Sequence, residues 1–172
     1  MHRLTITPAA LTDAEAISAL ILELSAPFYD SPTREGSEPF VASVGAQATR
    51  RNLSAGNFSY RVARAGGVLA GVVALRDNAH LFHLFVAEPF QGQGLARRLW
   101  SLVEAEARKA GNPGLFTVNA SLNAVPVYER FGFMRDGEVQ HMHGISFQPM
   151  RLGPGRNITP HSDADAEPAP EN

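Results

Sequence analysis

The amino-acid sequence predicts an α+β domain of three layers, a mixed central sheet of about six or seven strands flanked by about four helices. Three observations predict it. Helix-like and strand-like periodicities follow one another in the order βαα, βββ, αβ, αββ. The three strand patterns in the middle are separated only by two-residue turns, so they form an antiparallel meander. The later strands are reached through helices, which lets the sheet mix directions.

Element by element, Leu4 and Ile6 alternate with polar neighbours over residues 3–7, a short strand. Thr12-Asp13-Ala14-Glu15 has the spacing of a capping box. Ile17, Leu20, Ile21 and Leu24 then share one helical face, and Pro27 ends the helix. A loop to Pro39 carries Phe28, Tyr29, Asp30, Glu35 and Glu38. A second helix is predicted over residues 40–53, with Phe40, Val41, Val44 and Ala48 as its apolar stripe. Phe58, Tyr60 and Val62 open the meander; Gly66-Gly67 tolerates the positive φ of a hairpin turn. Val68 to Leu75 is nearly all apolar, as a central strand should be. Asp77-Asn78 makes the next turn, and residues 79–87 the third strand. Leu95, Leu99, Leu102 and Val103 mark a strong helix that ends at Gly111-Asn112-Pro113. A strand at 115–119, a short helix at 121–130, and strands near 134–140 and 145–152 complete the domain.

Residues 1–152 are expected to be the folded domain. The segment 153–172, with four prolines and little apolar bulk, is expected to be a disordered acidic tail. After Leu152 the acids are Asp163, Asp165, Glu167 and Glu171 against Arg156 alone, so the tail carries −3 and residues 1–152 carry +1. A domain this close to neutral is not built to coat nucleic acid, and no nucleic-acid partner is expected. The absence of cysteine excludes disulfides, a Cys-ligated zinc, iron–sulfur clusters and a Cys nucleophile. No apolar run approaches the ~20 residues of a membrane span, and the start lacks a secretory h-region; a cytoplasmic protein is the expectation.

The most informative segment is Leu84-Phe85-Val86-Ala87-Glu88-Pro89-Phe90-Gln91-Gly92-Gln93-Gly94-Leu95-Ala96-Arg97-Arg98. A strand enters a glycine-rich turn and then a helix, which offers backbone N–H groups and a favourable dipole to an anion. Arg97 and Arg98 oppose that dipole, and make sense there if they meet negative charge. A P-loop is excluded because no lysine follows the glycines. The dinucleotide fingerprint is excluded because the third glycine is missing and the loop follows an antiparallel meander.

Gln91-x-x-Gly94-x-Ala96 resembles the pyrophosphate loop, Gln/Arg-x-x-Gly-x-Gly/Ala, of the GCN5-related N-acetyltransferases (GNAT family), with alanine in place of the commoner final glycine. A second segment agrees. Asn119-x-Ser121-x-x-Ala124-x-x-x-Tyr128-x-x-x-Gly132-Phe133 is similar to another motif of that family. Pro126 falls in the first turn of its helix, where it is tolerated.

The resemblance covers about residues 3–152 and implies the following. The central sheet splays at the cofactor site, and the backbone of Phe85 and Val86 pairs with the pantetheine arm of acetyl-CoA. Gln91, Gly92, Gln93, Gly94, Leu95 and Ala96 cradle its pyrophosphate. Asn119 contacts the cofactor or holds the splay, while Ser121 and Asn123 are either ligands or helix caps. Tyr128 is the general acid, protonating the departing thiolate or hydrogen-bonding its sulfur. His80 is the candidate general base, with His83 and water or solvent as its competitors. The resemblance also implies a bulge before the splay; apart from any bulge, strand period places His80 on the face of Phe82, Leu84 and Val86, and His83 on the opposite face.

The implied reaction is direct attack of an amine on acetyl-CoA in a ternary complex, the acceptor being a small molecule or a peptide. Asp30, Glu35 and Glu38 could attract a cationic amine. No metal is expected, since His141 and His143 alone do not make a zinc site. The rival readings are an acyl-CoA-binding regulator without turnover, and an enzyme acting on a protein amine or charged tRNA. No membrane partner is expected, and a homodimer is a reasonable assembly.

Overall fold

The structure, a computed structural model, describes residues 3–153, so the expected tail lies outside the described residues except for Gly153. The elements in chain order are β1 (Leu4–Pro8), α1 (Ala14–Glu23), α2 (Glu38–Ser43), α3 (Ala46–Ser54), β2 (Phe58–Ala65), β3 (Val68–Arg76) and β4 (His80–Val86). They continue with α4 (Leu95–Lys109), β5 (Phe116–Ala120), α5 (Val125–Arg130), β6 (Met134–Arg135), β7 (Gln140–Met142) and β8 (Ile145–Leu152). The strands lie in the order β1-β2-β3-β4-β5-β8-β6, with β7 also on β8. Among the described strands only β4 and β5 run parallel.

Two apolar layers hold the sheet. On one face Leu99, Trp100 and Val103 of α4 and Val125 and Tyr128 of α5 pack on Leu81, Leu84 and Val118. The Trp100 ring meets Phe116 edge-on at 5.1 Å. On the other face Ile17 and Ile21 of α1 and Phe40 of α2 pack on Val62, Val72 and Phe85. The meander turns match the sequence: Asp77 and Asn78 both take positive φ.

Three local expectations are corrected. The capping box at Thr12 and Glu15 does not form, because a 3-10 turn over Leu11–Asp13 delays the helix to Ala14. Asp13 instead accepts from the Ala10 N–H at 2.7 Å and pairs with Arg64, while Glu15 pairs with Arg50. The single helix over 40–53 is two, since Gly45 takes an extended backbone (ψ 164°) and caps α3, its carbonyl accepting from the Thr49 N–H at 2.9 Å. The strand near 134–140 is likewise two short ones, turned by Gly137 at φ 89°.

The feature that positions the site is in β4. Ala74 faces His83 but Leu75 faces Leu81, so Phe82 is an extra, bulged residue. The bulge shifts the strand's phase. Leu81 and Leu84 face α4, whereas Phe82 and Phe85 join the layer under α1. His83 goes with them, its ring 4.3 Å from Phe82 and 5.9 Å from Phe85. The expected faces are therefore corrected: Leu84 and Val86 leave the side of Phe82, and His83 takes it. Beside the bulge, β4 and β5 pair only at His80↔Thr117 and Leu81↔Val118, then separate.

Gly71 lets β3, β4 and α4 come together. A Cβ there would stand 3.0 Å from the Phe85 carbonyl oxygen and 3.1 Å from Leu99 Cδ1. Gly71→Val is expected to lose about 1–3 kcal/mol of stability through overpacking. Urea unfolding reads it, and an unchanged midpoint would contradict this packing.

Candidate active site

β4 delivers the chain into a 3-10 turn at Glu88–Phe90 and then the glycine loop that caps α4. Gly92 and Gly94 take φ 70° and 78°, and no atom lies within 4 Å of where a Cβ would sit on either. That open cradle, beside the first N–H groups of α4 that have no partner inside the helix, suits a phosphate. The residues present therefore fit the pyrophosphate of acetyl-CoA. Two glutamines brace the loop: Gln91 Nε2 donates to the Val86 carbonyl at 2.9 Å, and Gln93 Nε2 to the Pro89 carbonyl at 3.1 Å.

The edge of β4 left by β5 opens beside this loop. The Ala87 N–H donates to the Ala70 carbonyl across to β3 at 2.9 Å. Strand backbone alternates, so the Val86 N–H turns the other way, toward the gap. Phe85 pairs with Val72 in the same ladder, so the Val86 N–H is a main-chain donor turned to the open edge.

A cavity of about 630 Å³ joins these parts. Its walls include Phe85, Val86, Gln91, Gly92, Gly94, Leu95, Ala96 and Tyr128, all singled out from the sequence. Gln93, Asn119 and His80 are not in its lining. Asn119 sits within β5 opposite Pro149. His80 Nδ1 lies 2.7 Å from Thr117 Oγ1, at the closed end of the gap. Ser121 and Asn123 do line it, and Ser121 Oγ donates to Asn123 Oδ1 at 2.8 Å rather than capping the helix.

Tyr128 is 1% exposed, edge-on to Phe131 and Phe133. Burial pushes its phenol well above the ordinary tyrosine value, so it stays protonated. His83 is equally buried. Desolvation, then the nearby His80, lowers it from 6.5 to about 3, which keeps it neutral, and its Nδ1 has no hydrogen bond among the described residues.

Charge is distributed unevenly around the cavity. Arg97, on the first turn of α4, donates to the Arg130 carbonyl at 3.1 Å and lies 5.0 Å from the Phe131 ring centre. Both arginines line the cavity, whereas Arg98 faces a separate hollow with Ile6 and Ser101. The single acid in the lining is Glu23, the last residue of α1. Sequence reasoning missed it, because an acid on an amphipathic helix reads as a solvated face. The signal available was its place in a last turn, where a negative charge opposes the helix dipole by about 0.3–1 kcal/mol.

Asp30, Glu35 and Glu38 are absent from the lining. Asp30 ties its loop to the β7–β8 hairpin instead. Its carboxylate accepts from Ser146 Oγ, which lies 2.7 Å from His141 Nδ1, and its N–H donates to the Gly144 carbonyl at 2.9 Å. Serine and aspartate meet the same imidazole nitrogen, so the trio is a tie between two loops and not a proton relay through the ring. No helix among the described residues is long and apolar enough to cross a membrane.

Comparison with known proteins agrees with this geometry. Residues 28–153 match the family described as an acetyltransferase (GNAT) domain. The chain is 41% identical over 56 residues to an acetyltransferase of Agrobacterium fabrum, covering 33% of this chain and 41% of that one. It spans less than half the length of the curated relatives it matches. A GCN5-related N-acetyltransferase from Rhodopseudomonas palustris superposes with a TM-score of 0.70 at 22% identity, over 88% of this chain and 96% of that one. An N-acetyltransferase from Thermoplasma acidophilum, solved with coenzyme A, gives 0.63 at 15% identity, over 88% and 99%. At these identities the structures show a shared fold.

His83 supplies a pH test of the bulge's buried face. Its folded value of about 3 lies below its unfolded 6.5, so between them the unfolded chain holds the extra proton. Its contribution to stability is complete above 6.5 and shrinks as pH falls toward 3. His83→Leu is expected to lose less stability than the wild type between about pH 7 and about pH 5, read by urea unfolding. Equal losses in the two proteins would contradict the buried neutral imidazole.

Proposed function

Because the chain belongs to the GNAT acetyltransferase family, we propose that it moves an acetyl group from acetyl-CoA to a primary amine by direct attack in a ternary complex. The observation that carries the reading is one cavity joining the glycine-loop cradle, the open edge of β4 and the Tyr128 ring. Acetyl-CoA supplies an activated acyl thioester. The remaining work falls to this chain's own groups, and much of it is positioning, worth up to ~7–11 kcal/mol in favourable cases.

The backbone from Gln91 to Ala96 and the start of α4 hold the pyrophosphate, with Arg97 beside it. The Val86 N–H faces the negative charge that develops on the thioester oxygen. Tyr128 donates a hydrogen bond to the departing sulfur. Full proton transfer from it is uphill, because a thiolate near the cysteine value of about 8.5 is a weaker base than a phenolate raised above 10. As the N–C bond forms and the C–S bond breaks, the acceptor's surplus proton passes to solvent, His80 standing behind Thr117 outside the lining. The chain has no cysteine, so a Cys acyl-enzyme plays no part.

Thiol release from acetyl-CoA across an amine panel tests the activity; tight cofactor binding with no release for any amine would make the protein a binding module. Tyr128→Phe is expected to lower kcat about 10- to 100-fold with little change in the KM for acetyl-CoA. An unchanged kcat would remove the donor role. Gly94→Asp, which sets a carboxylate in the cradle, is expected to abolish acetyl-CoA binding by calorimetry, and wild-type affinity would overturn the loop assignment.

A further inference from the structure

The acetyl-transfer reading leaves the acceptor open, and the cavity's charge pattern bears on it. Its lining comes from both faces of the sheet, α4 and α5 on one side and the end of α1 on the other. The basic side chains, Arg97 and Arg130, stand with the glycine loop. Glu23, the acid, is an exposed residue at the end of α1, on the other face of the sheet, and makes no ion pair among the described residues.

Both ends share an anomaly. Arg97 lies at the positive end of the α4 dipole and Glu23 at the negative end of the α1 dipole, so each charge is repelled by its own helix. A ligand of opposite charge relieves each. Phosphates do so at α4. At α1 the matching ligand is a cation, drawn by the carboxylate and the helix terminus together. The wall next to Glu23 is apolar, formed by Leu24, Ala26, Pro27 and Phe85, and suits a methylene chain.

We infer that Glu23 is the specificity-determining residue for the acceptor, and that the acceptor class is amines carrying a second positive charge and no carboxylate. The inference rests on the acetyl-transfer reading. The attacking nitrogen must be uncharged, so the charge that Glu23 holds during transfer belongs to a different group on the same molecule. A carboxylate-bearing amine would be repelled at this wall.

The test uses three probes on a five-carbon chain: cadaverine, with an amine at each end, pentylamine, with one, and δ-aminovalerate, with an amine and a carboxylate. Their binding to the full chain saturated with coenzyme A is measured by calorimetry, and their turnover with acetyl-CoA by thiol release. Cadaverine is expected to bind tightest and δ-aminovalerate weakest. Glu23→Gln, which keeps the shape, is expected to weaken cadaverine about 2- to 5-fold, as suits an exposed carboxylate, and to leave pentylamine unchanged, through KM and not kcat. Glu23→Lys is expected to place δ-aminovalerate first. Equal affinities for the three, an unchanged cadaverine affinity in Glu23→Gln, or a loss confined to kcat would overturn the inference. Glu23-dependent binding without thiol release would sustain the charge assignment and overturn acetyl transfer. Thiol release with Glu23-independent binding would do the reverse.

Discussion

The site depends on where β4 and β5 stop pairing. Two register pairs hold them, at His80↔Thr117 and Leu81↔Val118, and beyond these each strand keeps only its outer neighbour. β5 is fastened to β8 along Phe116–Ala120, and β4 to β3 through to Val86. The Phe82 bulge sits at the parting point and raises the local twist. An inner strand with an open edge carries main-chain groups that need partners. Gln91 satisfies one of them at the Val86 carbonyl, while the Val86 N–H turns toward the gap.

The same opening connects the two faces of the domain. A closed sheet would wall off α1 from α4 and α5. The gap lets the end of one and the start of the other meet a common space, so two helix termini of opposite polarity face it. In the function proposed above, an anionic cofactor and a cationic acceptor approach from different sides and meet at β4.

Much of this was legible in the residues. Apolar alternation and paired turns located the meander, and the glycine loop with Tyr128 located most of the lining. What the sequence hid was set by pairing and burial. The bulge at Phe82 has no local signature, yet it moves His83 to the face of Phe82 and Phe85, undoing a strict period of two. The apolar stripe from Phe40 to Ala48 runs unbroken past Gly45, whose extended backbone divides the helix. Asp30 read as an acid free for an acceptor, and long-range contact with Ser146 and Gly144 engages it elsewhere. Glu23 was passed over because only the folded chain brings the last turn of α1 to the cavity.

We propose that the open edge of β4 receives acetyl-CoA, with the Val86 N–H as a donor to it. Amide hydrogen exchange at Val86 tests it most directly. Adding acetyl-CoA is expected to slow exchange at Val86 and at the first amides of α4, while amides of the β2–β3 ladder stay as they were. Cofactor binding that leaves Val86 exchanging at its free rate would contradict it.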